Sequence, residues 1–433
     1  MKITNRIFLA AGFIILIIIS WAVALSSQSD GEKQDELITR AEEYIKDEVY
    51  VLAIPVLEEA AGYNTARTSE VETTLKEIYL QLINQRTYRR KYIELLERQM
   101  GRKNAPPEIF NEAAEFYLKN LKFKDAYAVL RDGIAKTGDS GLIDLYESNR
   151  YIYKIEHSVY EDVTAYHGAT IGVKADGLWG IADSAGILQI PCEYEKISTY
   201  SVDRAIVLKD NLITAIDKNN NRVAKLNKNA SDFGNFANDR VSLLIEGKWY
   251  RATGTFEIGS MAFEDIGSYF NNYAAAKQDG KWGIIDKSAN WLIPAEYDGA
   301  ITDELGRSYA QGAVFMLKGN SACLFVDGKE LGDIYYEDAR PFGNEGYAAV
   351  KKNGLWGFIN TSGELKIDYK FEEALSFGQH LAAVKQGEFW GYINLYGDIV
   401  IEPVFLQAKS FSNGSAPVLT ERGWQFISLI EYK

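Results

Sequence analysis

Three regimes of apolar patterning divide the chain. Residues 7–25 form an uncharged run, IFLAAGFIILIIISWAVAL, of 19 residues. As a helix it spans about 28 Å, close to the hydrocarbon thickness of a bilayer. From Asp35 to about Ile155 apolar and aromatic residues recur three and four apart, which predicts helices. Proline is confined there to Pro55, Pro106 and Pro107, and the Pro106-Pro107 pair predicts a helix start. Beyond that, short alternating runs such as Leu381-Ala382-Ala383-Val384-Lys385 predict half-buried strands. The expected organisation is a tail over 1–6, a transmembrane anchor over 7–25, a linker over 26–34, a helical domain over 35–155 and a β region over 156–433.

The β region repeats. Six tryptophans, Trp179, Trp249, Trp282, Trp356, Trp390 and Trp424, occupy one position of the repeat, and Ile213 and Cys323 hold it in two further copies. Successive anchors lie 34, 36, 33, 41, 33, 34 and 34 residues apart. A fixed period of this size means stacked supersecondary units. Glycine follows the anchor at Gly180, Gly283, Gly357 and Gly391. Four residues after it stand Asp183, Asp217, Asp286, Asp327, Asn360 or Asn394, often with glycine three later, as in a tight turn. Fifteen residues after it comes an aromatic: Tyr194, Tyr297, Phe371 or Phe405. Each copy thus offers about three strands. None can bury a face alone, so neighbours must stack. The anchors are expected to be structural pins. Trp291 stands off the frame and is the candidate ligand contact.

These residues resemble the WG, or KWG, repeat family. Lys281-Trp282-Gly283-Ile284-Ile285-Asp286 is the nearest copy, followed by those at Trp356 and Trp390. The resemblance covers Val163 to Lys433 and is weakest between Asn211 and Gly332. It implies an interaction module without naming a ligand. In the helical region, Phe110, Ala114 and Tyr117 followed by Ala126, Leu130 and Gly133 repeat the spacing of Leu37, Ala41 and Tyr44 followed by Ala53, Leu57 and Ala60. That spacing resembles degenerate tetratricopeptide repeats, with Leu142 to Ile155 as a capping helix. The expected fold class is therefore multidomain α + β: one transmembrane helix, helical repeats, then an all-β array of about eight three-stranded repeats. The array is expected to be open or superhelical, with a β-propeller as the alternative.

Lys2 and Arg6 precede the apolar run and no basic residue follows until Lys33. The positive-inside bias then puts the N-terminus in the cytoplasm and the bulk of the chain outside the cell. The alternative is a secreted protein, cut after Ala22-Val23-Ala24. A net charge of −13 argues against nucleic acid. The cluster Arg86, Arg89, Arg90 and Lys91 reads as a solvated helix face or a site for an acidic partner. Cys192 and Cys323 form no C-x-x-C pair, and Cys323 is expected to be a buried, inert thiol. The acidic turn residues are too sparse for a calcium ladder and are expected to cap turns. His157, His167 and His380 have no metal or triad spacing. No catalytic residue, cofactor or metal is expected. The chain reads as a membrane-anchored protein-interaction scaffold at the cell surface, with a cell-wall or glycan-binding module as the alternative.

Overall fold

A computed structural model describes residues 30–431, in two compact units that meet in sequence at Ser148 and Asn149. Helices fill the first: α1 over 30–46, α2 Tyr50–Ala60, α3 Thr68–Gln81, α4 Arg86–Met100, α5 Pro107–Lys119, α6 Phe123–Thr137 and α7 Ser140–Asn149. Pro107 is the first residue of α5, where its missing N–H has no intrahelical partner to lose. Small residues let consecutive helices approach. Ala41, Ala53, Ala60, Ala114 and Ala126 are fully buried, and a Cβ on Gly133 would lie 2.8 Å from the Phe110 side chain. The tetratricopeptide resemblance is not supported beyond this packing. Within the basic cluster, Arg90 pairs with Glu94 at 3.3 Å, Lys91 with Glu58 at 2.6 Å, and Arg89 donates to the Ile83 carbonyl.

The apolar run over 7–25 lies outside the described residues. Among the described residues no helix is long and apolar enough to cross a membrane. On that finding the expected single-pass membrane localisation, cytoplasmic tail and extracellular bulk are corrected.

The second unit holds thirty-two strands among the described residues, β1 to β32 in chain order, in eight four-stranded antiparallel sheets. Seven blades are consecutive: 162–194, 196–225, 232–263, 265–297, 299–336, 338–371 and 373–405. The eighth joins β30 (Gln407–Ala408), β31 (Ser415–Thr420) and β32 (Gly423–Leu429) to β1 (Tyr153–Ile155). Ile155 pairs with Ile427 and Tyr153 with Leu429, so the first strand completes the last blade. Each pair of neighbouring blades shares one apolar cluster, including blades eight and one, where Trp424 and Phe426 pack on Val163, Ile171 and Val173. The array is therefore closed. This corrects the open array and establishes the alternative, a β-propeller of eight blades. It also extends the β unit back to β1, which falls where a capping helix over 142–155 was expected.

A short repeat holds four strands because the turns are minimal. Two-residue hairpins with both central residues at positive φ, such as Asp279-Gly280 and Asn271-Asn272, waste no chain. The first strand of blades two to eight pairs over only two residues, as in Lys196–Ile197 and Glu373–Ala374, too short to show in hydrophobic alternation. The following strand is buried on both faces because blades stack on both sides: Leu381, Ala382, Ala383 and Val384 are all inaccessible. Those runs are thus buried on both faces up to the terminal lysine, not half-buried.

Two repeated signatures gain a physical cause. Asp183, Asp217, Asp286, Asn360 and Asn394 each accept, through Oδ1, the backbone N–H two and four residues ahead, at 2.7–3.1 Å. They cap turns. The glycine after the anchor faces a bulge in the outer strand, near the prolines Pro191, Pro294 and Pro403. A Cβ at Gly180, Gly283, Gly357 or Gly391 would stand 2.4–2.7 Å from the carbonyl oxygen of Ile190, Ile293, Ile367 or Ile401. Close backbone approach is what excludes a side chain there. Gly283→Ala should therefore destabilise the ring by about 3 kcal/mol through overpacking. Gly280→Ala, strained at φ +79 but in open space, should cost about 1 kcal/mol. Urea midpoints of the two variants measure the difference.

Candidate functional site

A ring of eight blades leaves a wide axis, and this chain fills part of it with its own backbone. The first strand of blade five, Gly299–Ala300, runs into a segment over 302–308 that has no counterpart in the other blades. It supplies the extra residues of the 41-residue interval. Asp303 organises it: its Oδ1 accepts the N–H of Leu305 and of Arg307, each at 2.9 Å, and Gly306 turns at φ +75. This is the same Asp-x-x-Gly turn that closes the outer hairpins, here placed on the axis.

The plug is tied to blades around the ring. The Leu305 carbonyl accepts Asn235 Nδ2 of blade three at 3.1 Å and the Ser268 hydroxyl of blade four. The Gly306 carbonyl accepts the Ser268 N–H at 3.0 Å. A Cβ on Gly267 would meet that carbonyl at 2.7 Å, so glycine is required where the plug docks. Arg307 donates to the Tyr166 carbonyl of blade one at 3.0 Å and lies over the Phe270 ring. Glu304 pairs with Lys409 of blade eight. Leu305 itself is buried.

Beside the plug a cavity of about 940 Å³ remains, lined by residues of blades one and four to eight. Its wall mixes aromatic side chains (Phe270, Tyr309, Trp390, Trp424) with cations and hydroxyls. His167 also lines it. Burial, with the Arg307 guanidinium adding to it, pushes that imidazole down from 6.5 to about 4. It is neutral at neutral pH. Folding disfavours its proton, so its share of stability is present above pH 6.5 and is lost as pH falls through about 4. The stability difference between wild type and His167→Gln should shift by about 3 kcal/mol over that window, to the detriment of wild type in acid. Thermal melts at stepped pH test it; parallel profiles contradict it.

The anchors are not equivalent. Trp356 and Trp424 are buried, while Trp179, Trp249, Trp282 and Trp390 are half-buried. Four border the seams between blades away from the axis. Trp390 and Trp424 reach the central cavity. Ile213 and Cys323 fill the same position as core residues, and burial pushes the Cys323 thiol up to about 11. Trp291 is half-buried, packs edge-on against Phe263 at 6.3 Å and stands outside the cavity lining. The plug was missed from the sequence, although the long interval and the off-frame Asp303-Glu304-Leu305-Gly306 signal it.

Six segments, 179–212, 260–282, 282–303, 327–356, 356–388 and 390–424, match the family model of the WG containing repeat. No curated protein matches the chain in sequence. Among solved structures the chain is similar to Kluyveromyces lactis Hsv2, at 10% identity over 63% of this chain and 97% of that one, with a TM-score of 0.35. It is similar to the β-propeller domain of Myceliophteria thermophila Cps50 (Swd1), at 10% identity over 65% and 100%, with a TM-score of 0.33. It is also similar to YCF48 bound to D1 peptide, at 14% identity over 62% and 100%, with a TM-score of 0.33. The matched repeats, spread from residue 179 to 424, build blades of this ring, so the β unit carries WG repeats.

Proposed function

We propose that the ring is a non-catalytic scaffold that binds a protein partner on its rim. One observation carries this reading. Trp390 pairs with Phe405 across blade seven, which sets Phe389 beside Leu406, with Val404 two residues along on the same face. All three are exposed: Phe389 by 40%, Leu406 by 44% and Val404 by 56%. Single exposed apolar residues are common, but a contiguous set marks an interaction surface. Leu355, one blade back, repeats the position of Phe389 and is also exposed.

In blades one and two the matching position is Leu178 and Leu212, both half-buried rather than exposed. It is Lys248 in blade three and Lys281 in blade four. Serine at Phe389 and Leu406 removes the apolar surface without touching the seams. Crosslinked capture on the full chain, wild type against Phe389→Ser/Leu406→Ser, tests the proposal. The expected result is a partner polypeptide whose recovery falls at least tenfold in the double variant, about 1.4 kcal/mol of binding. Equal recovery, or none in either, overturns it.

A further inference from the structure

The outer edge of blade two carries a charge opposite to that of the chain. The protein is −13 overall, yet residues 218–231 hold Lys218, Arg222, Lys225 and Lys228 and no acidic residue. All four are exposed, and among the described residues none of them makes an ion pair. The flanking acids are turned elsewhere. Asp217 caps its own turn, accepting the N–H of Asn219 and of Asn221, each at 2.9 Å. Asp232 pairs with Lys196 and Glu193 with Lys209, both at 2.5 Å. A solvated row of like charge on an acidic protein draws anionic partners to that one place.

The same stretch is a strand with a free side. β9 (Arg222–Lys225) is the outermost strand of its sheet and pairs with β8 (Leu212–Ile216). Its other side presents backbone donors and acceptors to an incoming chain. Elsewhere in the seven consecutive blades the outer strand is guarded or uncharged. Blades one, four and seven place a proline, which cannot donate, beside a glutamate: Pro191 with Glu193, Pro294 with Glu296, Pro403 with Glu402. Blades five and six carry Asp333 and Asp368 there, and the outer strand of blade three is uncharged. In this set β9 alone is cationic with neither a proline nor an acid.

A groove adjoins it. A cavity of about 350 Å³ is lined by Lys225, Leu226, Asn227 and Lys228 on one side and by Phe256 and Ile258 of blade three on the other. Leu226 is buried, and Phe256 and Ile258 pack against the core of the seam between blades two and three. The groove therefore has an apolar floor and a cationic lip. Val223, within β9, is 49% exposed.

We propose that an extended acidic peptide segment adds to blade two as a fifth strand beside β9. Its carboxylates meet Arg222, Lys225 and Lys228, and one apolar side chain enters the groove. A free strand edge is matched by another peptide backbone. A nucleic acid would call for a broader basic footprint than four cations. The surface belongs to blades two and three and shares no residue with the rim set of Phe389, Val404 and Leu406.

The probe is a fluorescein-labelled decapeptide alternating aspartate with valine, titrated with the full chain and read by anisotropy. Saturable binding is expected that weakens at least tenfold in Lys225→Glu/Lys228→Glu and falls as salt is raised. The melting temperature of that variant should match wild type, since both side chains are exposed. A peptide with proline in place of valine keeps the charge but loses the backbone donors, and should bind at least tenfold more weakly. Phe389→Ser/Leu406→Ser should bind the probe as wild type does, whatever becomes of the rim partner. Undiminished binding to the charge-reversed variant, equal binding of the proline peptide, or no binding of the probe overturns the proposal. So does tighter binding of a ten-residue oligothymidylate or of phosphatidylserine vesicles.

Discussion

Trp356→Ala will lower the stability of the ring by about 4 kcal/mol, the upper range for truncating a buried aromatic. Trp356 is 1% exposed and among the largest fully buried side chains. It pairs in register with Phe371 and packs in the seam between blades six and seven with Phe358, Ile367, Phe371 and Phe377. The Arg340 guanidinium lies 4.3 Å from its ring centre, a contact that disappears with the indole. Two comparisons separate position from residue type. Trp249→Ala, at a half-buried anchor between blades three and four, should cost about 2 kcal/mol, because less area leaves water and the cavity can fill with solvent. Trp356→Phe should cost only about 1 kcal/mol, since the indole N–H is buried with no partner among the described residues and its removal offsets part of the lost volume. Urea unfolding of the three variants gives the order. Equal losses at Trp249 and Trp356 would mean that the seams do not govern stability.

What the sequence displayed and what it hid follow from the range of the interactions. The anchor tryptophans, the glycines after them and the turn-capping Asp and Asn are local features repeated many times, so their spacing announced the blade directly. The two-residue strands were invisible because pairing over Lys196–Ile197 or Glu373–Ala374 leaves no hydrophobic period. That omission gave three strands per copy and favoured an open array. Closure was hidden for another reason: β1 carries none of the repeat signature, and its partner β32 lies more than 260 residues away. The central site was hidden because its walls come from six blades, each contributing a short stretch that carries no signature of its own. Its one local trace was the 41-residue interval at Cys323. Off-frame position alone misled: Trp291 departs from the period yet serves a seam, whereas Trp390 and Trp424 keep the period and also face the cavity.

The ring should lose its single cooperative unfolding transition when β1 is broken. Its three residues complete the eighth blade, and their support is concentrated. Tyr153 packs against the cluster of blades seven and eight, its ring 6.0 Å from Phe405. Lys154 faces Ser428 in the ladder, and Glu156 continues the pairing by donating to the Phe426 carbonyl at 2.7 Å. In Tyr153→Ala/Lys154→Pro the ring loses an aromatic anchor, and proline can neither donate to the ladder nor extend it. The combined loss should reach about 4 kcal/mol. The consequence exceeds that figure, because the ring joins its ends through this strand, the Tyr160–Trp424 bridge that follows it and the seam of blades eight and one. With β32 left as an edge, Phe426 loses cover, and the seam it makes with Val163 and Val173 should open first. Limited proteolysis would then cut between residues 156 and 162 before any other site in the β unit. The melt should split, with the blade eight and one seam released below the remaining blades. A sharp single transition with an unchanged cleavage pattern would show that the seven consecutive blades hold the ring without their closing strand.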